Sequence, residues 1–194
     1  MRQRLLAMLR LAAVRFTRRV SSSPVVLLAA VAAFSSTLVG GVFFAFSTFM
    51  MRGLDRSGAP VASTAMRGIN AQAQADAPFL MLFLGSALLA VTVGVAAVVR
   101  LREPGSGWVL AGAVLALLPL VVTVGFSVPL NDRLAALDPA TLSVAEMDQL
   151  WQVYFRSWMR WNHIRTVAPL LGSVLMLAGL RSGQLGGTNL SVPG

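Results

Sequence analysis

Residues 158–165 read Trp-Met-Arg-Trp-Asn-His-Ile-Arg, so two indoles, an amide, the chain's one imidazole and two guanidinium groups fall within eight positions. His163 is the natural candidate for a general base, because an imidazole titrates near neutral pH. Asp132 or Asp76 is a carboxylate suited to orient it. The competing reading is an interfacial histidine with one structural hydrogen bond. Arg165 is suited to neutralise an oxyanion, or to pair with Asp132 and tie two helices together. Arg52 has the same two readings. Asn131 and Asn162 suit hydrogen bonding to a substrate carbonyl, or to backbone groups at broken helix ends. Trp158 and Trp161 precede Arg165 by seven and four residues, which places all three on one helical face. They form either an aromatic wall beside a cation or an interfacial anchor. Tyr154 and Trp151 continue that face, and Asn70 and Gln74 are further polar candidates.

The elements that must position these groups follow from hydropathy. Apolar stretches occupy residues 25–50, 79–99, 108–129 and 164–180. Each is near or above the ~18 residues that mark a membrane-spanning helix. The chain has 194 residues, 56% hydrophobic and 12% charged, with a mean hydropathy of +0.74. Soluble domains average roughly 25% charged. The predicted fold is an all-α integral membrane four-helix bundle. Four alternating spans bring the end of the first, the start of the second, the end of the third and the start of the fourth to one membrane face. The candidate residues sit at those ends.

Residues 1–23 are predicted to form a basic amphipathic interfacial helix, with Arg2, Arg4, Arg10, Arg15, Arg18 and Arg19 among leucines. Residues 24–181 are the four-span domain and 182–194 a disordered tail. Residues 141–162 read as a second interfacial helix before the fourth span, or as an earlier start of that short span continued through a bend, with Ser143 and Glu146 spaced as a capping box. Asp76 and Pro78 suit the start of the second span. Pro119 and Pro169 interrupt hydrogen bonding in the third and fourth. Phe43, Phe44, Phe46 and Phe49 suit either a hydrophobic pocket or packing against lipid. Ser36 and Gly40 have the small-xxx-small spacing of close helix contacts. That contact serves packing within the chain or a homodimer.

Several function classes are excluded or weakened. Without cysteine there is no thiol nucleophile or Cys-ligated zinc, and one histidine rules out a multi-histidine metal site within one chain. No span interior carries an acidic residue, which weakens ion-coupled transport. All sixteen basic residues are arginine, for a net charge of +9. They form no nucleic-acid recognition motif, and the N-terminal group suits anionic lipid headgroups. Nine arginines fall on the side of the termini and seven on the other. The positive-inside rule therefore points to a bacterial inner (plasma) membrane protein with both termini cytoplasmic.

Three segments carry a family resemblance. They are GGVFFAFSTF at 40–49 leading into Met51–Leu54, with Ala65, Met66, Ile69 and Asn70 following; VPLNDRLAALDP at 128–139; and WMRWNHIRT at 158–166. Across about residues 35–180 the chain resembles a family of small membrane proteins, largely of unknown function, that includes the fungal anthrone oxygenases. Where relatives have a proline soon after the first span, this chain has Met51, Arg52 and Gly53. The resemblance implies a four-span bundle and, in the fungal branch, oxygenation of an anthrone to an anthraquinone by dioxygen without a metal or organic cofactor. It carries Asn131, Asp132, Trp161, Asn162, His163 and Arg165 as motif residues. On that reading His163 abstracts a carbon-bound proton, Arg165 or Asn162 holds the oxyanion, and Trp158 and Trp161 stack on the aromatic substrate. The alternatives are a non-catalytic membrane scaffold or accessory protein, and a protein that binds or exports small hydrophobic ligands.

Overall fold

The structure is a computed structural model that describes residues 24–138 and 140–186. Its described helices are α1 (Pro24–Arg56), α2 (Ala59–Ala75), α3 (Ala77–Val99), α4 (Ser106–Ala135) and α5 (Val144–Gly186). α1, α3, α4 and α5 are long and apolar enough to cross a membrane, as the four-helix reading expects. α2, of 17 residues, is not among them. The helix expected before the fourth span is not separate. It is the first part of α5, which runs unbroken past Pro169 for 43 residues. α5 also continues beyond the expected end of the last span, to Gly186. The basic N-terminal segment and residues 187–194 of the tail lie outside the described residues.

The helix starts follow local chemistry. The Phe79 backbone N–H donates to Asp76 Oδ1 at 2.8 Å, capping α3 one turn into the apolar run. Ser143 and Glu146 form the reciprocal capping box at the start of α5, with the Ser143 N–H donating to Glu146 Oε2 at 2.8 Å and the Glu146 N–H to Ser143 Oγ at 3.3 Å. Gly58 and Gly105 take positive φ, 86° and 88°, at the turns before α2 and α4.

The interior has three tiers. One end is packed mainly with alanines, Ala29, Ala32, Ala33, Ala90 and Ala113, together with Val93 and Met176. The other end is a cap in which Met51, Met66, Leu134, Met147, Trp151, Tyr154 and Trp158 pack α2 against the first half of α5. Between them lie Val39, Phe43 and Phe83. In the small-residue tier α4 and α5 approach at backbone distance. A Cβ on Gly172 would lie 2.6 Å from Gly112 O, and one on Gly179 2.6 Å from Gly105 O. Lipid supplies no hydrophobic drive between helices, so such close packing carries the association. Gly172→Val is therefore expected to cost about 2 kcal/mol or more, read as a lowered unfolding midpoint in detergent. A parental midpoint would show that α4 and α5 separate freely there.

Ser36 and Gly40 likewise serve contacts within the chain. Ser36 Oγ donates to Pro169 O at 3.2 Å, and a Cβ on Gly40 would meet the Leu170 side chain at 2.8 Å.

Two π turns interrupt the spans, Phe46–Met50 in α1 and Thr123–Ser127 in α4. Each adds a residue to a turn, so the side chains that follow rotate by about 100° from their α-helical directions. Both turns border the middle tier and aim polar side chains at α5.

Candidate active site

The ends of the spans meet as the span order requires. Trp151 Nε1 donates to Asp55 Oδ1 at 2.8 Å, Arg67 Nε to Leu134 O at 2.9 Å, and the Tyr154 hydroxyl to Asn131 Oδ1 at 2.9 Å. Beneath these bonds the helices line a half-open cavity of about 530 Å³. This falls within the ~300–1,000 Å³ of small-molecule sites. Its wall combines aliphatic side chains with the aromatic rings of Phe43, Phe46, Phe79, Phe83 and Trp158. Phe79 stacks on Phe83 with ring centres 5.8 Å apart, and Phe83 meets Phe43 edge-on at 6.1 Å. Of the four phenylalanines of the first span, Phe43 and Phe46 line the cavity. Phe44 and Phe49 are exposed.

Arg165 is the one cation in this lining, and it is 4% exposed. Its Nη2 donates to Asn162 Oδ1 at 3.0 Å and its Nη1 to Thr123 Oγ1 at 3.3 Å. The guanidinium carbon lies 4.4 Å from the Phe43 ring centre and 4.9 Å from that of Trp158. The expected ion pair with Asp132 is not made, and Asp132 is exposed on α4. Among the described residues the one ion pair is Arg100–Glu103, at the opposite end of the bundle. Among the described residues three buried side-chain atoms have no hydrogen-bond partner: Ser127 Oγ, Trp158 Nε1 and Arg165 Nε. Buried polar groups are normally satisfied. Two of the three belong to residues of this cavity wall.

Asn162, fully buried, organises the cation. Its Nδ2 donates to Phe43 O at 2.9 Å and to Ser47 Oγ at 2.8 Å, which leaves Oδ1 to receive Arg165. Ser47, in the first π turn, also lies 2.9 Å from Thr166 Oγ1 and 3.2 Å from His163 Nδ1. The Thr166 hydroxyl donates to Asn162 O. With that proton used, the arrangement closes if Ser47 donates to Thr166 and accepts from His163.

The sequence candidates thus divide. Arg165, Trp158, Asn131, Asn70, Gln74 and Asp76 line the cavity. Asn162 and Tyr154 stand one hydrogen bond behind it, holding Arg165 and Asn131. His163 is exposed and absent from the lining, because two residues along a helix turn a side chain about 200°: with Arg165 inward, His163 faces away. Arg52 is exposed. Trp161 leaves the Trp158 face to stack on Phe126, with ring centres 3.6 Å apart. Sequence reasoning assigned no site role to Thr123, Phe79 or Phe83. No local motif marks them, and they reach the cavity only because α3 packs against α1 and α4 against α5. Asp76 is the single acidic group in the lining. Among the described residues no cluster of three potential metal ligands occurs.

A family model described as Anthrone oxygenase matches residues 71–175, more than half of the chain. No curated protein and no solved structure matches the chain.

Proposed function

The chain belongs to the anthrone oxygenase family, and from that premise we propose that its cavity binds an enolisable or phenolic polycyclic aromatic compound and directs its oxygenation by dioxygen. One observation carries this reading: Arg165 is a buried cation in an aromatic cavity, without a carboxylate partner among the described residues. An arginine keeps its charge in proteins, and isolated buried charge is costly. A ligand that develops negative charge on oxygen relieves that cost, and Arg165 Nε and Trp158 Nε1 are donors without partners. Phe43, Phe46, Phe79 and Phe83 offer flat apolar surface to the rings. The cavity wall includes Leu84 and Val124, apolar and exposed on the spans α3 and α4. Hydrophobic substrate therefore reaches the cavity from the bilayer.

In this reaction the methylene of an anthrone becomes a carbonyl. One oxygen atom of dioxygen enters the product and the other leaves as water, so the four electrons lost by carbon are those gained by oxygen. Arg165 stabilises the ring oxyanion formed when the methylene is deprotonated. Asn162 holds Arg165, Ser47 accepts from Asn162, and His163 meets Ser47 in turn. The charge asymmetry supports an inner-membrane orientation with both termini cytoplasmic and the cavity near the opposite face.

The test is dioxygen uptake and quinone formation by the purified protein in lipid nanodiscs, with the protein-free rate subtracted. Binding of anthrone is measured against anthracene, which has the same ring system without the oxygen. Protein-dependent turnover, with anthrone bound at least about tenfold more tightly, is expected from one charge-assisted hydrogen bond. Equal binding of the two compounds without turnover would replace the oxygenase reading with that of a hydrophobic-ligand binding protein.

A further inference from the structure

Deprotonating a substrate held at Arg165 needs a proton acceptor inside the same enclosure. His163 is on the opposite side of α5 and does not line the cavity. Asp132 and Arg52 are exposed outside it. Tyr154 is engaged with Asn131. The lining contains one acidic side chain, Asp76, and one cation, Arg165. We propose that Asp76 is the catalytic base of this site, a role that rests on the oxygenase reading above.

The geometry suits that role. Asp76 begins α3, and its Oδ1 accepts the Phe79 N–H at 2.8 Å. The bond locks the carboxylate onto the start of a rigid span instead of leaving it on a loose loop. It occupies one oxygen, and among the described residues Oδ2 has no hydrogen-bond partner. Pro78 stands between the cap and Phe79, and having no N–H it does not compete for the carboxylate. The cap therefore holds the base, and the free oxygen does the chemistry.

Asp76 Oδ2 takes a methylene proton, and the electron pair passes through the ring to the carbonyl oxygen beside Arg165. The carbanion reduces dioxygen as the carbon–oxygen bond forms, and Asp76 returns its proton to the peroxide. Asp76 then takes the second proton from that carbon as the oxygen–oxygen bond breaks, the carbonyl forms, and the departing hydroxide recovers the proton as water.

The first step is measurable without oxygen. Under anaerobic conditions, exchange of the anthrone methylene hydrogens with deuterium oxide is followed by mass spectrometry, with and without protein in nanodiscs. Asp76→Asn and Asp76→Ser both retain a capping side chain, so α3 keeps its start while the carboxylate is lost. The parent protein should accelerate exchange. Both variants should lose about 100-fold of that acceleration or more, with unchanged anthrone affinity by tryptophan quenching and an unchanged melting midpoint. Asp76→Glu should recover part of it. Parental exchange in Asp76→Asn overturns the assignment and leaves the oxygenase reading intact. Anthrone binding without accelerated exchange in the parent overturns the assignment while the ligand site stands. Neither binding nor exchange in the parent overturns both.

Discussion

Arg165→Met is expected to leave the bundle folded and to lower protein-dependent quinone formation about 100-fold or more. The magnitude is that of removing a donor from an oxyanion site in a low-dielectric enclosure, about 3–4 kcal/mol. The stability expectation has the opposite sign. Among the described residues Arg165 meets no carboxylate, and its Nε has no partner. It is held by one amide, one hydroxyl and two aromatic faces. Methionine keeps most of the length and packing of the side chain and removes the buried charge. Replacing a buried charge by an apolar side chain is often neutral or stabilising. The melting midpoint in nanodiscs should therefore hold or rise while turnover collapses, the trade-off expected of a functional residue. Arg165→Lys should retain part of the rate, because it keeps the charge but loses the planar fork. A parental rate in Arg165→Met would sink the oxyanion role. A folded parent and an unfolded variant would instead make Arg165 a structural residue.

Asn162→Leu should have the largest effect on stability, about 3 kcal/mol or more. The side chain is fully buried and satisfies Phe43 O, Ser47 Oγ and Arg165 Nη2 together. Leucine has similar volume, so little of the cost is a cavity. It arises from buried groups left without partners, each about 1–3 kcal/mol and more when one is charged. The double variant Asn162→Leu/Arg165→Met separates the contributions. With the guanidinium gone, leucine no longer strands a cation, and the double variant should recover at least about 1 kcal/mol relative to the sum of the single changes. Chemical unfolding in a fixed detergent measures all three. Strict additivity would mean that Asn162 does not hold Arg165.

Much of the architecture was legible in the residues. Long apolar runs fold only as helices in lipid, because every backbone group must be satisfied within its own segment. Short-range signals were equally readable, since the Asp76 cap and the Ser143–Glu146 box close over three residues. That the ends of the spans meet follows from their number and direction. The segment before the last span was less legible. Its polar, tryptophan-rich composition suggested a separate interfacial helix, yet nothing between residues 144 and 186 stops the helix.

The site was legible as a neighbourhood and not as an arrangement. Spacing placed Trp158, Trp161, Asn162, His163 and Arg165 in one segment, and periodicity alone implies that His163 and Arg165 face apart. Which of the two faces the cavity is decided by what packs against α5: the π turn that brings Ser47 to Asn162, the π turn that brings Thr123 to Arg165, and the phenylalanines of α1 and α3. Those contacts join residues far apart in the chain, Ser47 with Asn162 across 115 positions and Thr123 with Arg165 across 42, and no local pattern encodes them. The sequence by itself determined helices, spans and the level at which polar groups gather, because these depend on local hydrogen bonding and on hydropathy. The tertiary structure decided that Arg165 rather than His163 faces the cavity, and that Asp76 shares its wall, because side-chain direction at a helix interface depends on the shape of the neighbouring helices.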